Sequence, residues 1–302
     1  MRSDLPKVAV LLAAYNGMAW IAEQLASIQR QTNVDVSVFI SVDPSTDGTE
    51  GWCAAYAARH SNITVLPPAG QFGGAARNFF RLIRDVDFSP FEFIAFSDQD
   101  DIWHQDKLER ATARLRNEPF DAYSSNVTAF WPDGRRLLLD KAQPQVRWDY
   151  LFEAAGPGCT YVLNRRLADA FKTSLISNWD AAQGVTLHDW YCYAFARSRE
   201  FLWFIDPVPG LDYRQHAENQ VGANTGLKAV FARLKTITNG WWPAQVLLID
   251  RLTATAPILK ARSETSQRLI FLRLVSKASI CRRRKRDKFL FMVACVAATV
   301  KR

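Results

Sequence analysis

The first hundred residues alternate short apolar runs with amphipathic stretches, and this alternation limits the fold more than any other feature of the chain. "KVAVLLAAYN" (7–16) has the pattern of a buried strand, and "MAWIAEQLASIQRQ" follows with Trp20, Ile21, Leu25 and Ile28 on one helical face. "DVSVFISVD" is a second strand closed by the turn-rich "PSTDGT"; the helix "EGWCAAYAARH" then leads to a short strand "ITVLPP". "GQFGGAARNFFRLIRD" opens a third helix with glycines and delivers the chain to the strand "FEFIAFS". Strands alternating with helices predict a parallel, doubly wound α/β sheet flanked by helices.

Open α/β sheets bind ligands beyond the carboxyl ends of their strands. Three polar clusters fall there: Tyr15-Asn16 after the first strand, Asp43 after the second, and Asp98-Asp100-Asp101 in "FIAFSDQDDIW" after the fourth. Three carboxylates this close repel one another unless a cation or a raised pKa relieves them. A water-exposed turn would tolerate them, and a divalent-metal site would require them.

Composition excludes several classes. With 302 residues, 48% of them hydrophobic, the chain can bury a large core and is not a disordered protein. Its five cysteines are odd in number and form no CxxC pair, which argues against a disulfide framework or zinc ribbon and for a reducing compartment. The apolar run before Tyr15 is short and reads as a strand, not a secretory signal. The net charge of +8 hides an asymmetry: from Lys260 to Arg302 thirteen Lys or Arg face only Glu264 and Asp287, a local +11 that leaves about −3 for the rest. Such a basic tail points to an anionic partner.

The segments "LLAAYNG", "SVDPSTDGT" and "SDQDD", in this order at strand ends, resemble family 2 glycosyltransferases of the GT-A fold. Asp98-Gln99-Asp100-Asp101-Ile102-Trp103 with Asp106-Lys107, the "LHDWYCYAF" around Asp189 and the "YRQHAENQVG" from Tyr213 are similar to the rhamnosyltransferase-type members, over roughly residues 7 to 222. The chain departs from many relatives at Asp43-Pro44, where they have two adjacent acids, and it lacks the QxxRW signature of processive synthases. The latter argues for transfer of a single sugar.

The resemblance implies a site. Asp98-Gln99-Asp100 stands as the DxD element, with Asp98 toward the ribose and Asp100 on a divalent metal, Mg²⁺ or Mn²⁺, that neutralises a nucleoside diphosphate. Ala14, Tyr15, Asn16 and Asp43 fall at the nucleotide end, although Tyr15 also reads as a packed aromatic and Asp43 as a cap or Asx turn. Arg77 in "GGAARN" would reach the nucleotide, and Asn78 would brace the loop; helix-start packing explains the same stretch. Asp189 is the implied catalytic base, with His188 tuning it. His216 is the implied further metal or diphosphate ligand. Arg214 balances the diphosphate or pairs with a carboxylate of the body. Asp101, Trp103, Gly158 in "GPGCT" and Trp190 remain as donor- or acceptor-positioning residues, each with a plain packing alternative.

These readings divide the chain into a GT-A catalytic domain (1–225) and a helical, basic C-terminal extension (226–302). The apolar run Phe289 to Val300 is too short to span a bilayer, so "CRRRKRDKFLFMVACVAATVKR" is expected on an anionic membrane surface. No base-reading motif accompanies it, so no nucleic-acid partner is expected. The expected activity is inverting, metal-dependent transfer of L-rhamnose from dTDP-L-rhamnose to a lipid-linked, O-antigen-like acceptor at the cytoplasmic face of the bacterial membrane. The alternatives are a UDP-hexose donor and a catalytically silent nucleotide-sugar-binding scaffold.

Overall fold

The computed structural model describes residues 5–216, 240–253 and 264–300. The 225/226 boundary and the "AENQVG" that follows His216 lie outside the described residues. The alternating half matches the expectation closely. Strand β1 (Lys7–Ala14), helix α1 (Ile21–Gln29), β2 (Asp35–Val42), α2 (Thr49–Ala57), β3 (Ile63–Val65), α3 (Ala75–Asp85) and β4 (Phe93–Ser97) follow in order. Then come β5 (Ile102–Trp103), α4 (Lys107–Asn117), β6 (Ala122–Ser125), β7 (Val127–Phe130), β8 (Arg136–Leu139), β9 (Val162–Asn164), α5 (Arg165–Ser177), α6 (Trp179–Ala182) and α7 (His188–Ser198). Strands β10 (Trp203–Asp206) and β11 (Leu211–Arg214) lead to helices α8 (Trp241–Thr253), α9 (Glu264–Val275), α10 (Ala278–Cys281) and α11 (Lys285–Val300).

Seven strands form the main sheet in the order β10-β6-β9-β4-β1-β2-β3. Strand β1 pairs parallel with both β2 and β4, so chain direction across the sheet reverses between them. Such a switch point opens a crevice at the carboxyl ends, and the loops after β1 and β4 border it. Strand β9 runs antiparallel to β4 and β6, making the sheet mixed. A smaller sheet, β5-β11-β7-β8, brings the end of β11 beside the segment that follows β4.

Period-two alternation explains the two cores. Val8, Val10, Leu12 and Ala14 of β1 face one cluster with Ile21, Leu25 and Ile28 of α1, while Ala9, Leu11 and Ala13 face the other with α3, α5 and α7. Trp20 precedes α1 and leaves the helical face expected for it. The C-terminal helices join the second cluster: Trp242, Val246, Ile249, Phe271, Leu274, Cys281, Phe291 and Cys295 are all buried in it. Each large apolar side chain so buried contributes roughly 1.5–3 kcal/mol. The tail is therefore packed on the body. Among the described residues no helix is long and apolar enough to cross a membrane, and all five cysteines are free and buried.

Candidate active site

The loops after β1, β2 and β4 interlock at the switch point. The Tyr15 amide donates to Gln99 Oε1 at 2.8 Å, and Gln99 Nε2 donates back to the Tyr15 carbonyl at 2.7 Å. Gln99, the middle residue of the acidic motif, thus fixes that motif to the end of β1. Asn16, with φ +45°, accepts from the Thr46 amide at 2.8 Å, and Asp47 accepts from the amides of Met18 and Thr49. The Tyr15 ring stands exposed at this edge, and Ala14 is buried beneath it.

Asp43 is buried, and its two carboxylate oxygens accept from the amides of Phe72 and Gly73 at 2.8 and 3.0 Å. It therefore shapes the loop before α3. Asn78 donates to the carbonyls of Ala14 and Ser41, tying α3 to β1 and β2 as a brace. The Arg77 guanidinium donates to the carbonyls of Gln183 and Phe72 and is engaged with the protein.

The acidic motif lies behind β4. Burial, then the charges of Asp100 and Asp189, push Asp98 up to about 7. Burial, then Asp100 and Asp98, push Asp101 well above the usual carboxylate range. Asp101 Oδ1 accepts from the Arg214 amide at 3.3 Å, while Oδ2 is buried without a hydrogen-bond partner among the described residues. A carboxylate oxygen of each of Asp98 and Asp101 and the Cys159 thiol lie within 4.8 Å of one another. Asp100 Oδ2 meets His216 Nε2 at 2.8 Å, and the Trp20 indole stacks on the His216 ring with centroids 3.9 Å apart. Arg214 donates to the Asp100 carbonyl at 2.9 Å and pairs with Glu23, following the body-carboxylate alternative.

This donor set fits a divalent cation. Crowded carboxylates with one unsatisfied buried oxygen, and an imidazole already beside Asp100, suit a hard ion such as Mg²⁺ or Mn²⁺. The Cys159 thiol is soft and is held protonated by burial, so it packs against the cluster as a neighbour, not a ligand. Lys107 lies fully buried below, its ammonium 3.4 Å from the centre of the Trp103 ring. Trp103 itself is buried under the motif and has its face covered by this contact.

Across the crevice, α7 begins at His188. Burial pushes Asp189 up to about 6, and its charge reaches that of Asp98. His188 is held neutral, its pKa pressed down to about 3 by burial, and its ring stacks on Phe79 at 3.9 Å. Trp190 is buried, and its indole donates to the Tyr150 carbonyl at 3.0 Å, so it supports the site from below. A Cβ on Gly158 would stand 2.5 Å from His188 Nε2 and 3.1 Å from Asp189 Cβ, so only glycine admits the loop this close.

The structure brings Asp98, Asp100, Asp101, His216 and Asp189 to one crevice. Sequence reasoning missed Gln99, Glu23 and the stacking role of Trp20. It also missed Lys141, whose charge acts on Asp189. Gln99 was hidden as the variable position of a three-residue motif, and Trp20 by its apparent place on a helical face. Lys141 lies in no motif.

Comparison with known proteins adds an independent line. A family model described as "Glycosyltransferase like family 2" matches residues 6–142. The dTDP-rhamnosyl transferase RfbG of Shigella flexneri is 50% identical over 244 residues, covering 80% of this chain and 84% of that protein. Among solved structures, Staphylococcus aureus TarS (residues 1–349) superposes with a TM-score of 0.59 at 14% identity, over 97% of this chain and 81% of that one. The mannosyltransferase PcManGT of Pyrobaculum calidifontis, solved with GDP-Man and Mn²⁺, gives 0.53 at 16% identity, over 98% and 86%. At these identities the structural likeness speaks for the GT-A fold alone.

Proposed function

Because the chain belongs to the family 2 glycosyltransferases, we propose that it moves one L-rhamnosyl unit from dTDP-L-rhamnose onto a bacterial surface glycan, with inversion at the anomeric carbon. The observation that carries this reading is the meeting of two unlike acidic groups across one crevice. Asp98 and Asp100 leave β4 beside His216, and Asp189 opens α7 opposite them, near enough for its charge to act on Asp98.

The two sides take different work. A divalent cation bound at Asp100 and His216 would neutralise the charge that gathers on the leaving diphosphate. Asp189 accepts the acceptor hydroxyl's proton as that oxygen bonds to the anomeric carbon and the bond to the diphosphate breaks. Its pKa near 6 places it as a carboxylate at neutral pH, yet basic enough to take a proton. His188, neutral and stacked on Phe79, supports the start of α7 and carries no charge to Asp189. Replacing Asp189 by Asn should leave donor affinity nearly unchanged and lower turnover by about 10²–10⁴-fold. A loss confined to donor binding in calorimetry would instead make Asp189 a structural residue.

The acceptor in this reading is a lipid-linked, O-antigen-like glycan, met at the cytoplasmic face of the membrane. Support comes from the outer surface of the C-terminal helices, where Leu269 and Leu272 of α9 and Phe289, Val293 and Val296 of α11 are exposed. Lys285 and Arg286 open α11, at the end of this apolar face. Such a face suits an anionic bilayer surface, where each basic residue contributes roughly 1 kcal/mol. The charge expected from Arg282, Arg283 and Arg284 is redistributed, because these three side chains bind the body. The double variant Phe289→Asp, Val293→Asp should then lose sedimentation with anionic vesicles and keep transfer to a soluble acceptor. Unchanged sedimentation would exclude this surface.

A further inference from the structure

Helix α1 carries a polar stripe inside the protein. Gln24 and Ser27 are fully buried, beside the apolar face formed by Ile21, Leu25 and Ile28. Trp20 before the helix and Gln31 after it continue the stripe, because intervals of four, three and four residues keep to one helical face. Burying polar side chains costs free energy unless they are hydrogen-bonded. Gln24 Oε1 has no hydrogen-bond partner among the described residues, so packing alone does not account for an amide at this position.

The stripe grips the acidic loop at both ends. At its entry, Gln24 Nε2 donates to Ser97 Oγ at 2.8 Å, and that hydroxyl donates in turn to the Asp98 carbonyl at 2.9 Å. At its exit, the Trp103 amide donates to Ser27 Oγ at 3.0 Å, and Ser27 is itself fixed by donating to the Gln24 carbonyl at 2.7 Å. Gln31 extends the grip: its Nε2 donates to the His104 carbonyl at 2.7 Å, and its Oε1 accepts from the Leu108 amide at 2.9 Å. Glu23, next to Gln24, pairs with Arg214, whose guanidinium holds the Asp100 carbonyl. Trp20 stacks on His216. One helix therefore touches both segments that carry the candidate metal ligands, the loop with Asp98 and Asp100 and the chain after β11 with His216.

Taking Asp100 and His216 as the metal ligands, we propose that α1 is the frame that sets their separation, with Gln24 and Ser27 as positioning residues for the divalent cation. Neither side chain touches the ion. Their bonds fix the backbone of residues 97–103 at its two ends, so the loop is held by groups other than its own carboxylates. A loop released at one end populates further conformations, and the apparent metal affinity falls with the fraction that stays competent.

The test is Mn²⁺ titration of the full chain by electron paramagnetic resonance, beside thermal melts, for Gln24→Met, Ser27→Ala and the double variant. The double variant should weaken Mn²⁺ binding by about fivefold or more, and each single variant by roughly twofold or more. The single variants make the same comparison should the double variant not fold. Gln29→Ala is the control, because Gln29 ties the same helix to Asn62, just before β3, and not to the loop. It should leave Mn²⁺ affinity unchanged. Unchanged affinity in the Gln24 and Ser27 variants, or an equal loss in Gln29→Ala, overturns the framing role. Asp100→Asn and His216→Gln separate this outcome from a misplaced site. If both lose Mn²⁺ while the double variant keeps it, the framing role alone fails; if both keep it, the metal reading fails with it.

Discussion

His216 Nε2 stands 2.8 Å from Asp100 Oδ2, although 116 residues separate the two in sequence. The contact is braced from both sides, by the Trp20 indole stacked on the imidazole and by Arg214 holding the Asp100 carbonyl. An imidazole and a carboxylate held together in this way can turn to a shared cation with little reorganisation.

Metal affinity should therefore depend on the brace as well as on the ligands. Asp100→Asn should remove most activity and weaken Mn²⁺ binding, because it deletes charge from a hard-ion ligand while keeping its shape. Trp20→Ala should weaken Mn²⁺ binding less, and Trp20→Phe should restore it by keeping a stacking face. Mn²⁺ titration followed by electron paramagnetic resonance reads all three. Full turnover by Asp100→Asn in EDTA would exclude the metal role.

The raised carboxyls make stability depend on pH and metal together. Asp98 and Asp101 bind protons more tightly in the fold than in the unfolded chain, whose carboxyls titrate near 4. Between that value and about 7 the folded state carries the extra protons, so metal-free protein should lose stability as pH rises through this window. Mn²⁺ replaces the lost protons as a counter-charge, so its increase in melting temperature should be larger at pH 8 than at pH 5. Thermal melts at both pH values, with and without Mn²⁺, measure the difference. A metal effect independent of pH would contradict the assignment of these two residues.

Gly158→Ala should be damaging despite adding a single methyl group. The new Cβ would meet His188 and Asp189 at 2.5 and 3.1 Å, and overpacking of this kind costs about 1–3 kcal/mol. The strain falls on the start of α7, so turnover should drop with the melting temperature. Wild-type kinetics in the variant would show that the loop has room the structure does not give it.

The first half of the fold was legible because its code is local. Short apolar runs separated by amphipathic helices name a parallel sheet, and β1, β2, β3 and β4 appear where the pattern puts them. Asp98, Asp100, Asp189 and His216 were legible as motifs and do converge on the crevice. What escaped was long-range. Nothing near Lys141 announces that its charge reaches Asp189. Nothing in "CRRRKR" announces that Arg283 will be buried against Glu153 and Asp149. A run of cations reads as a solvated or membrane-facing surface until the carboxylates and carbonyls of residues 140–154 are seen beneath it. Asp43 shows the same limit: its position after β2 does not announce that its oxygens hold the loop before α3.

The central claim is rhamnosyl transfer from a deoxythymidine diphosphate donor, and nucleoside diphosphate release tests it most directly. The full-length chain would be given dTDP-L-rhamnose or UDP-linked hexoses in parallel, each with Mn²⁺ or with EDTA, and an acceptor glycan. The account predicts dTDP release with dTDP-L-rhamnose and Mn²⁺, its loss in EDTA, and a product whose anomeric configuration is inverted from that of the donor. Release with a UDP-hexose in preference to dTDP-L-rhamnose, or a product with retained configuration, would contradict it.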